Sequence, residues 1–373
     1  MSQFDFKPVP QQNTSTASSA ALSATRLDLG LRPALLLVLV FGLMGAFLLV
    51  LAIGSVTIPL EQIIGVLLGG EAERTAWTNI ILKFRLPKAL TAMLAGAALG
   101  VSGLLMQTFF RNPLAGPFVL GISSGASLGV ALVVLSVGTV GGVLLAGLGL
   151  TGDLLLVLAA ALGASLTLLI VLAAARRVDS SMTLLILGLM FGYLVSALVS
   201  LLLFFAVPER IQAYINWTFG SFGGVTWDQL PILAGAVLIG LSIALLLIKS
   251  LNALLLGEDY ARSLGLNIQL TRLAIILATA LLAGAVTAFC GPIGFIGLAV
   301  PHLCRSLLHT SDHRLLVPGT ILMGGLVALI AALIAEVPGQ AVLLPLNAVT
   351  ALIGAPVVML VILRQRNLKR TFA

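Results

Sequence analysis

The sequence predicts an all-α, polytopic integral membrane protein with about ten transmembrane helices, and three features carry that prediction. Apolar residues make up 60% of the 373 positions, and charged residues only 9%. Mean hydropathy is +1.17. The apolar residues also gather into runs of roughly 17–25, the length that crosses about 30 Å of hydrocarbon as a helix. A soluble domain carries about a quarter charged residues. No soluble packing hides this much apolar surface, so the bilayer must be the solvent.

Residues 1–32 are polar, rich in Ser, Thr and Gln, and show no core-forming pattern; they read as a disordered cytoplasmic N-terminal tail. The transmembrane body follows over 33–365, with a short C-terminal tail at 366–373. The first apolar run, 33–53, has no small-residue cleavage site cleanly after it, so it reads as a span and not as a removable signal. Further spans are expected near 88–109, 118–138, 152–174, 182–206, 231–249, 271–290, 292–308, 316–335 and 346–363. The glycine-rich run 139–151 and the short run 292–308, which opens on Pro292, are the two places where the count could change.

Orientation follows from Lys and Arg, which accumulate on the cytoplasmic side of short loops. With the N-terminus inside, only Arg74, Lys83, Arg85, Lys88 and Arg210 face outward, and the other fifteen of the 20 basic residues lie inside. An even number of spans returns the basic segment RQRNLKR to the cytoplasm as well, so both termini are cytoplasmic. The net charge of +7 is therefore a matter of topology and does not call for nucleic acid. Lys83, Arg85 and Lys88 cluster on the outer side before the second span, against the bias. Snorkelling to headgroups explains them; so does docking of an acidic external partner.

Gly96 and Gly100 lie four apart in AGAALG, with Gly103 close by, and Gly121, Gly125 and Gly129 repeat the spacing in GISSGASLG. Small residues at this interval let helix backbones approach in lipid; plain packing is the first reading, and lining of a pathway the second. Gly291, Gly294 and Gly297 with Pro292 predict a short or broken helix, a feature tolerated at membrane depth only inside protein or along a cavity. Cys290 and Cys304 lie in apolar runs, where a free cysteine packs as a small hydrophobe.

Acidic residues are nearly absent from the span centres; Asp153 and Glu336 sit at span edges. Carriers driven by protons usually place ionisable groups inside the membrane. No G-x-x-x-x-G-K-[ST] phosphate loop occurs either. If the chain pumps, another chain supplies the energy. GISSG at 121–125 formally matches G-x-S-x-G, and His302 is a distant candidate base, but the nucleophile elbow needs a strand-to-helix turn that an apolar helix does not offer.

One cytoplasmic loop stands out. Between the sixth and seventh spans, Gly257 and Gly265 bracket GEDYARSLG, long enough for about two helical turns. Glu258 and Asp259 fall in its first turn and Arg262 in its last, which suits the helix dipole. Ala261 and Leu264, three apart, are expected to form a small apolar face. Such a capped helix can pass a partner's motion on as a rigid body; an ordinary interfacial loop is the other reading.

The motifs FRLPKALTAMLAGAALGVSGLLMQTFFRNPLAGPFVLGISSGA, FGSFGGVTWDQL, LGEDYARSLGLN, GPIGFIGLAVPHLCRSLLHTSDHRLLVPG and LNAVTALIGAPVVMLVI occur in one order over about 35–365. Together they resemble the permease subunits of ABC importers for iron–siderophore complexes, haem and cobalamin, the FecCD-type family. The resemblance implies a type II ABC importer permease fold with ten helices and a second permease subunit, identical or different. It also implies two cytoplasmic ABC ATPase subunits that hold ATP and Mg, an extracytoplasmic substrate-binding protein, and no cofactor in this chain. It implies that the helix near 256–267 docks on the ATPase, and that Arg85 and Lys88 dock the binding protein. The motif positions Gly96, Gly100, Met106, Gln107, Asn112 and Pro113 are then expected to belong to the translocation pathway or its packing. That pathway is expected along the second and fifth spans and the loops around 207–224. Glu336 falls where some members carry a third basic residue, and Leu344 and Asn347 depart from an acidic residue and a glycine. Among the possible cargoes a ferric chelate is the expectation. An ion-coupled carrier or channel is the rival class.

Overall fold

The computed structural model describes residues 34–136, 152–178, 181–336 and 343–371. The expectations for the tail 1–32, the run 139–151, and the side chains of Asp153 and the basic C-terminal segment lie outside them. The helices are α1 (Ala34–Ala52), α2 (Leu60–Leu67), α3 (Thr75–Asn79), α4 (Leu86–Phe109), α5 (Ile122–Ser136), α6 (Gly152–Arg177), α7 (Ser181–Phe204), α8 (Pro208–Thr218), α9 (Leu230–Leu246), α10 (Ile248–Leu255), α11 (Glu258–Ser263), α12 (Ile268–Cys290), α13 (Ile296–Leu308), α14 (His313–Ala335) and α15 (Leu346–Thr371). Among the described residues no strand is present beyond one isolated bridge, Glu336 to Leu343.

Among the described residues six helices are long and apolar enough to cross a membrane; α9 and α10, bent 53° at their junction, make a seventh if counted as one broken span, and α5, α13 and α15 are three shorter apolar helices. Each expected span coincides with one of these ten. Helix α15 continues past the expected end of its span to Thr371.

Helix α4 is the hub, and its glycines let two neighbours, α13 and α14, reach its backbone. It packs most extensively on α14, and also on α12, α13 and α9. A Cβ at Gly96 would overlap the Gly324 carbonyl, and one at Gly103 the Gly297 carbonyl. At Gly100 it would press on Thr320 and Val300 at 3.1 Å. The second glycine track works the same way between α5 and α6: Gly125 meets Thr167, and Gly129 the Ala159 carbonyl. Close backbone approach earns dispersion where lipid offers no hydrophobic drive. The blocks α4–α13–α14 and α5–α6 are therefore interlocked by shape. By contrast α1, α6 and α7 show most of their surface, a lipid- or partner-facing ring.

The Gly291–Gly297 segment is the expected break, separating α12 from α13. Its glycines serve packing: a Cβ at Gly291 would sit 2.6 Å from the Trp217 carbonyl, and one at Gly297 2.7 Å from Pro117. Cys290 and Cys304 are buried and free.

Candidate functional site

Two polar regions sit at opposite ends of the bundle. The first is built around the stretch Ile80–Arg85, wound as a π-helix between α3 and α4. Pro87 has no N–H to return to the preceding turn, and the Leu82 carbonyl is taken instead by the Trp227 Nε1 at 2.8 Å. The wide turn delivers Arg85 to the C-terminus of α1. There its guanidinium donates to the carbonyls of Leu51 at 2.7 Å and Ala52 at 3.0 Å, and to that of Val56. The last carbonyls of a helix have no intrahelical partner and carry its negative dipole end, so a buried cation is well matched there. Gly54 leaves the room, since a Cβ would lie 2.6 Å from the guanidinium.

Arg85 is thus 5% exposed and committed to the fold, which differs from the expectation that it faces an external protein. Lys88, one turn on, pairs with Glu336 at 3.1 Å, the two side chains 16% and 18% exposed. Glu336 is therefore a partner for Lys88. Asn347 is explained too: its Oδ1 accepts from the Gly294 N–H at 3.0 Å, and its own N–H donates to the Phe219 carbonyl at 3.0 Å. Leu344 donates its N–H to the Ala335 carbonyl and leaves its side chain exposed. Together with the turn 216–228, these residues border a cavity of about 1080 Å³, where exposed Lys83, Trp227 and Asp228 join Lys88 and Glu336.

At the other end, α11 is a six-residue helix between α10 and α12. Gly257 (φ +111°) starts it and Gly265 (φ +85°) ends it, both in the region that favours glycine. Glu258 and Asp259 occupy its first turn and Arg262 its last, as the dipole argument requires. The expected apolar face does not form: Ala261 is fully buried, whereas Leu264 lies past the last turn and is 61% exposed. Leu264 is the C-cap, its N–H still on the Tyr260 carbonyl, and Gly265 then turns the chain back, with the Leu266 N–H reaching the Ala261 carbonyl. The outward surface consists of Asp259, Tyr260, Arg262 and Leu264. Inward, Arg272 of α12 ties the helix down: it donates to the Val178 carbonyl at 2.6 Å and lies 3.8 Å from Glu258.

The remaining motif residues hold helices together. Met106 is fully buried. Gln107 donates to the Leu298 carbonyl at 3.2 Å and accepts from Arg305 at 2.6 Å, joining α4 to α13. Asn112 accepts from the Leu114 N–H at 2.9 Å, shaping the turn after α4, and the Pro113 carbonyl lies 2.8 Å from His302 Nε2. That contact occupies His302, and Ser123 and Ser124 sit in the first turn of α5, so no nucleophile elbow is formed. The second span is walled in by its neighbours; the open candidate for a pathway is α7, whose exposed face carries Tyr193, Ser196 and Ser200. The polar contacts of Asn252, Asp312, His313 and Thr108 escaped sequence reading, because no local spacing joins residues so far apart in the chain.

The family model of the FecCD transport family matches residues 39–364. The vitamin B12 import system permease protein BtuC of Klebsiella pneumoniae subsp. pneumoniae is 39% identical over 288 residues, 77% of this chain and 83% of that one. The protein of the same description from Citrobacter koseri is 37% identical over 77% of this chain and 84% of its own. A solved structure described as an inward-facing conformation of a metal-chelate type ABC transporter superposes with a TM-score of 0.77 at 29% identity, covering 89% of this chain and 99% of that one. The all-α, multi-pass architecture is that of an ABC importer permease, and the chain belongs to the FecCD transport family.

Proposed function

We propose that the chain is the membrane permease of an ATP-driven importer for a bulky metal chelate, with a corrinoid as the first candidate cargo ahead of the ferric chelate expected from sequence. The named relatives at 36–39% identity are vitamin B12 permeases, and this supports the change of cargo. The observation that carries the mechanism is α11, a capped helix with an exposed outer surface, anchored inward through Ala261 and Arg272. In this reading two ATPase subunits grip α11 of each of two permeases, the second permease being another copy or a different chain. Their closure on ATP tilts the helices, and the chain itself makes and breaks no covalent bond.

An external binding protein delivers cargo at the Arg85 end. Lys83 and Lys88 are the cations available at the cavity rim, and Arg85 shapes its floor by holding α1 in place. The pathway runs along the α7 face, where hydroxyls at Tyr193, Ser196 and Ser200 would be ill-placed in hydrocarbon. The protein lies in the cytoplasmic membrane with both termini inside, on the charge bias alone.

The test is reconstitution in proteoliposomes with and without the ATPase and binding protein. Cobalamin uptake that needs both proteins and ATP is expected. Ion-driven uptake by this chain alone would put it in the rival class of carriers.

A further inference from the structure

We infer that Asn252, Asp312, His313 and Thr108 form a directional hydrogen-bonded joint that carries motion of α11 into the α4–α14 block. This rests on the reading of α11 as the ATPase contact.

Asn252 lies in α10, five residues before α11 begins its turn at Gly257, and beyond the bend that separates α10 from α9. Its Nδ2 donates to Asp312 Oδ1 at 2.7 Å. Its Oδ1 faces the His313 backbone N–H at 2.9 Å and His313 Nδ1 at 2.8 Å. On the far side of the ring, Nε2 meets the Thr108 hydroxyl at 2.9 Å, in the last turn of α4. Three helix ends are therefore pinned by one chain of side chains: α10, the N-terminus of α14 and the C-terminus of α4.

The polarity of the Asn252 links is determined. A carboxylate only accepts and a backbone N–H only donates, so the Asn252 amide has one orientation. Its oxygen then requires a proton on Nδ1, and the Thr108 hydroxyl bridges His313 Nε2 and the Leu104 carbonyl, 2.9 Å from each. Residues that merely fill space need no such matching. The block beyond is stiff, because Gly96 and Gly324 bring α4 and α14 into backbone contact, and Gln107 with Arg305 adds α13. The second anchor of α11, Glu258–Arg272–Val178, leads to α12 and the end of α6. A push on α11 thus reaches two separately packed blocks, and Asn252 and Thr108 are positioning residues on one of the two arms.

The experiment uses the complete transporter in proteoliposomes and reads cargo delivered per ATP hydrolysed, with assembly and thermal stability measured alongside. Asn252→Asp sets a second carboxylate against Asp312, and Thr108→Val removes the hydroxyl at constant size. Each is expected to lower the ratio about fivefold or more, the scale of an inter-site coupling of 1 kcal/mol or above, while ATP hydrolysis continues; Thr108→Ser restores the ratio. A lowered melting temperature with an unchanged ratio in Thr108→Val would overturn the joint, and that variant alone decides if Asn252→Asp does not assemble. Arg262→Glu on the outer surface of α11 separates the two readings. If it leaves ATPase assembly and uptake intact, the coupling role of α11 falls and the joint with it; if it abolishes assembly while the ratio in Thr108→Val stays at wild type, only the joint falls.

Discussion

At Arg85 a single side chain decides how α1 ends. Three carbonyls accept from its guanidinium. Hydrogen bonds to a charged group contribute roughly 1.5–3 kcal/mol. Arg85→Ala is expected to destabilise the protein by at least that much, seen as a lower melting temperature in detergent before any loss of cargo delivery. Lys88 and Glu336 behave differently, because each keeps some contact with solvent. Exchanging one charge leaves like charges about 3 Å apart, while exchanging both restores the pair. Lys88→Glu and Glu336→Lys should each lose stability and the double exchange recover it, with a coupling of about 1 kcal/mol. A double variant no better than either single one would show that Lys88 is held by something else.

At the scale of elements, glycine contacts and caps determine which helices stay together. A side chain at Gly103 must displace the Gly297 backbone, and a helix backbone cannot yield as a side-chain tip can. Gly103→Leu should cost more than the roughly 1–3 kcal/mol of ordinary overpacking, whereas Gly45→Leu, with open space around it, should be neutral; the yield of folded protein reports both. Helix α14 starts on Asp312, whose carboxylate accepts from the Arg314 N–H at 2.9 Å. That contact first, then Asn252 and the nearby Arg314 charge, holds the Asp312 carboxyl below its usual range. A depressed carboxyl stabilises the fold fully above its ordinary value near 3.9 and gives that stability up as pH falls through the lowered one. Asp312→Ala should therefore lower the melting temperature at pH 6, by about 1 kcal/mol for a lost cap, and should flatten the acid limb of the stability curve.

The same scale shows what could be read from the chain. Span positions were legible because apolar length is a one-dimensional property, and both glycine tracks were legible because a four-residue interval fixes a face. The caps of α11 were legible for the same local reason. The outcome at Leu264 was not, since a three-residue interval gives a face but does not say that Leu264 is the cap at which the helix ends. Arg85 was placed on the surface by motif analogy; its true partners are carbonyls over 29–34 positions away, and main-chain acceptors leave no mark in a sequence. Asn252 and His313 are hidden likewise, 61 positions apart.

Across the whole molecule, exposure is uneven in a way that a bilayer alone does not explain. The outward surface of α6 carries Leu162, Leu166 and Leu169 around a single exposed hydroxyl, Ser165. That of α7 carries Tyr193, Ser196 and Ser200 between leucines, and the Ser200 hydroxyl donates to the Ser196 carbonyl at 2.8 Å. A hydroxyl stripe on a span gains when it meets water or a second protein and loses when it meets acyl chains. The two faces should therefore differ chemically. Cysteine at Ser196 in an otherwise cysteine-free assembled transporter should react with a membrane-impermeant maleimide, at a rate that changes when ATP is added. Cysteine at Leu166 should stay unreactive under both conditions. Equal protection of both positions would mean that α7 faces lipid, and the passage for cargo would have to be sought on another face of the bundle.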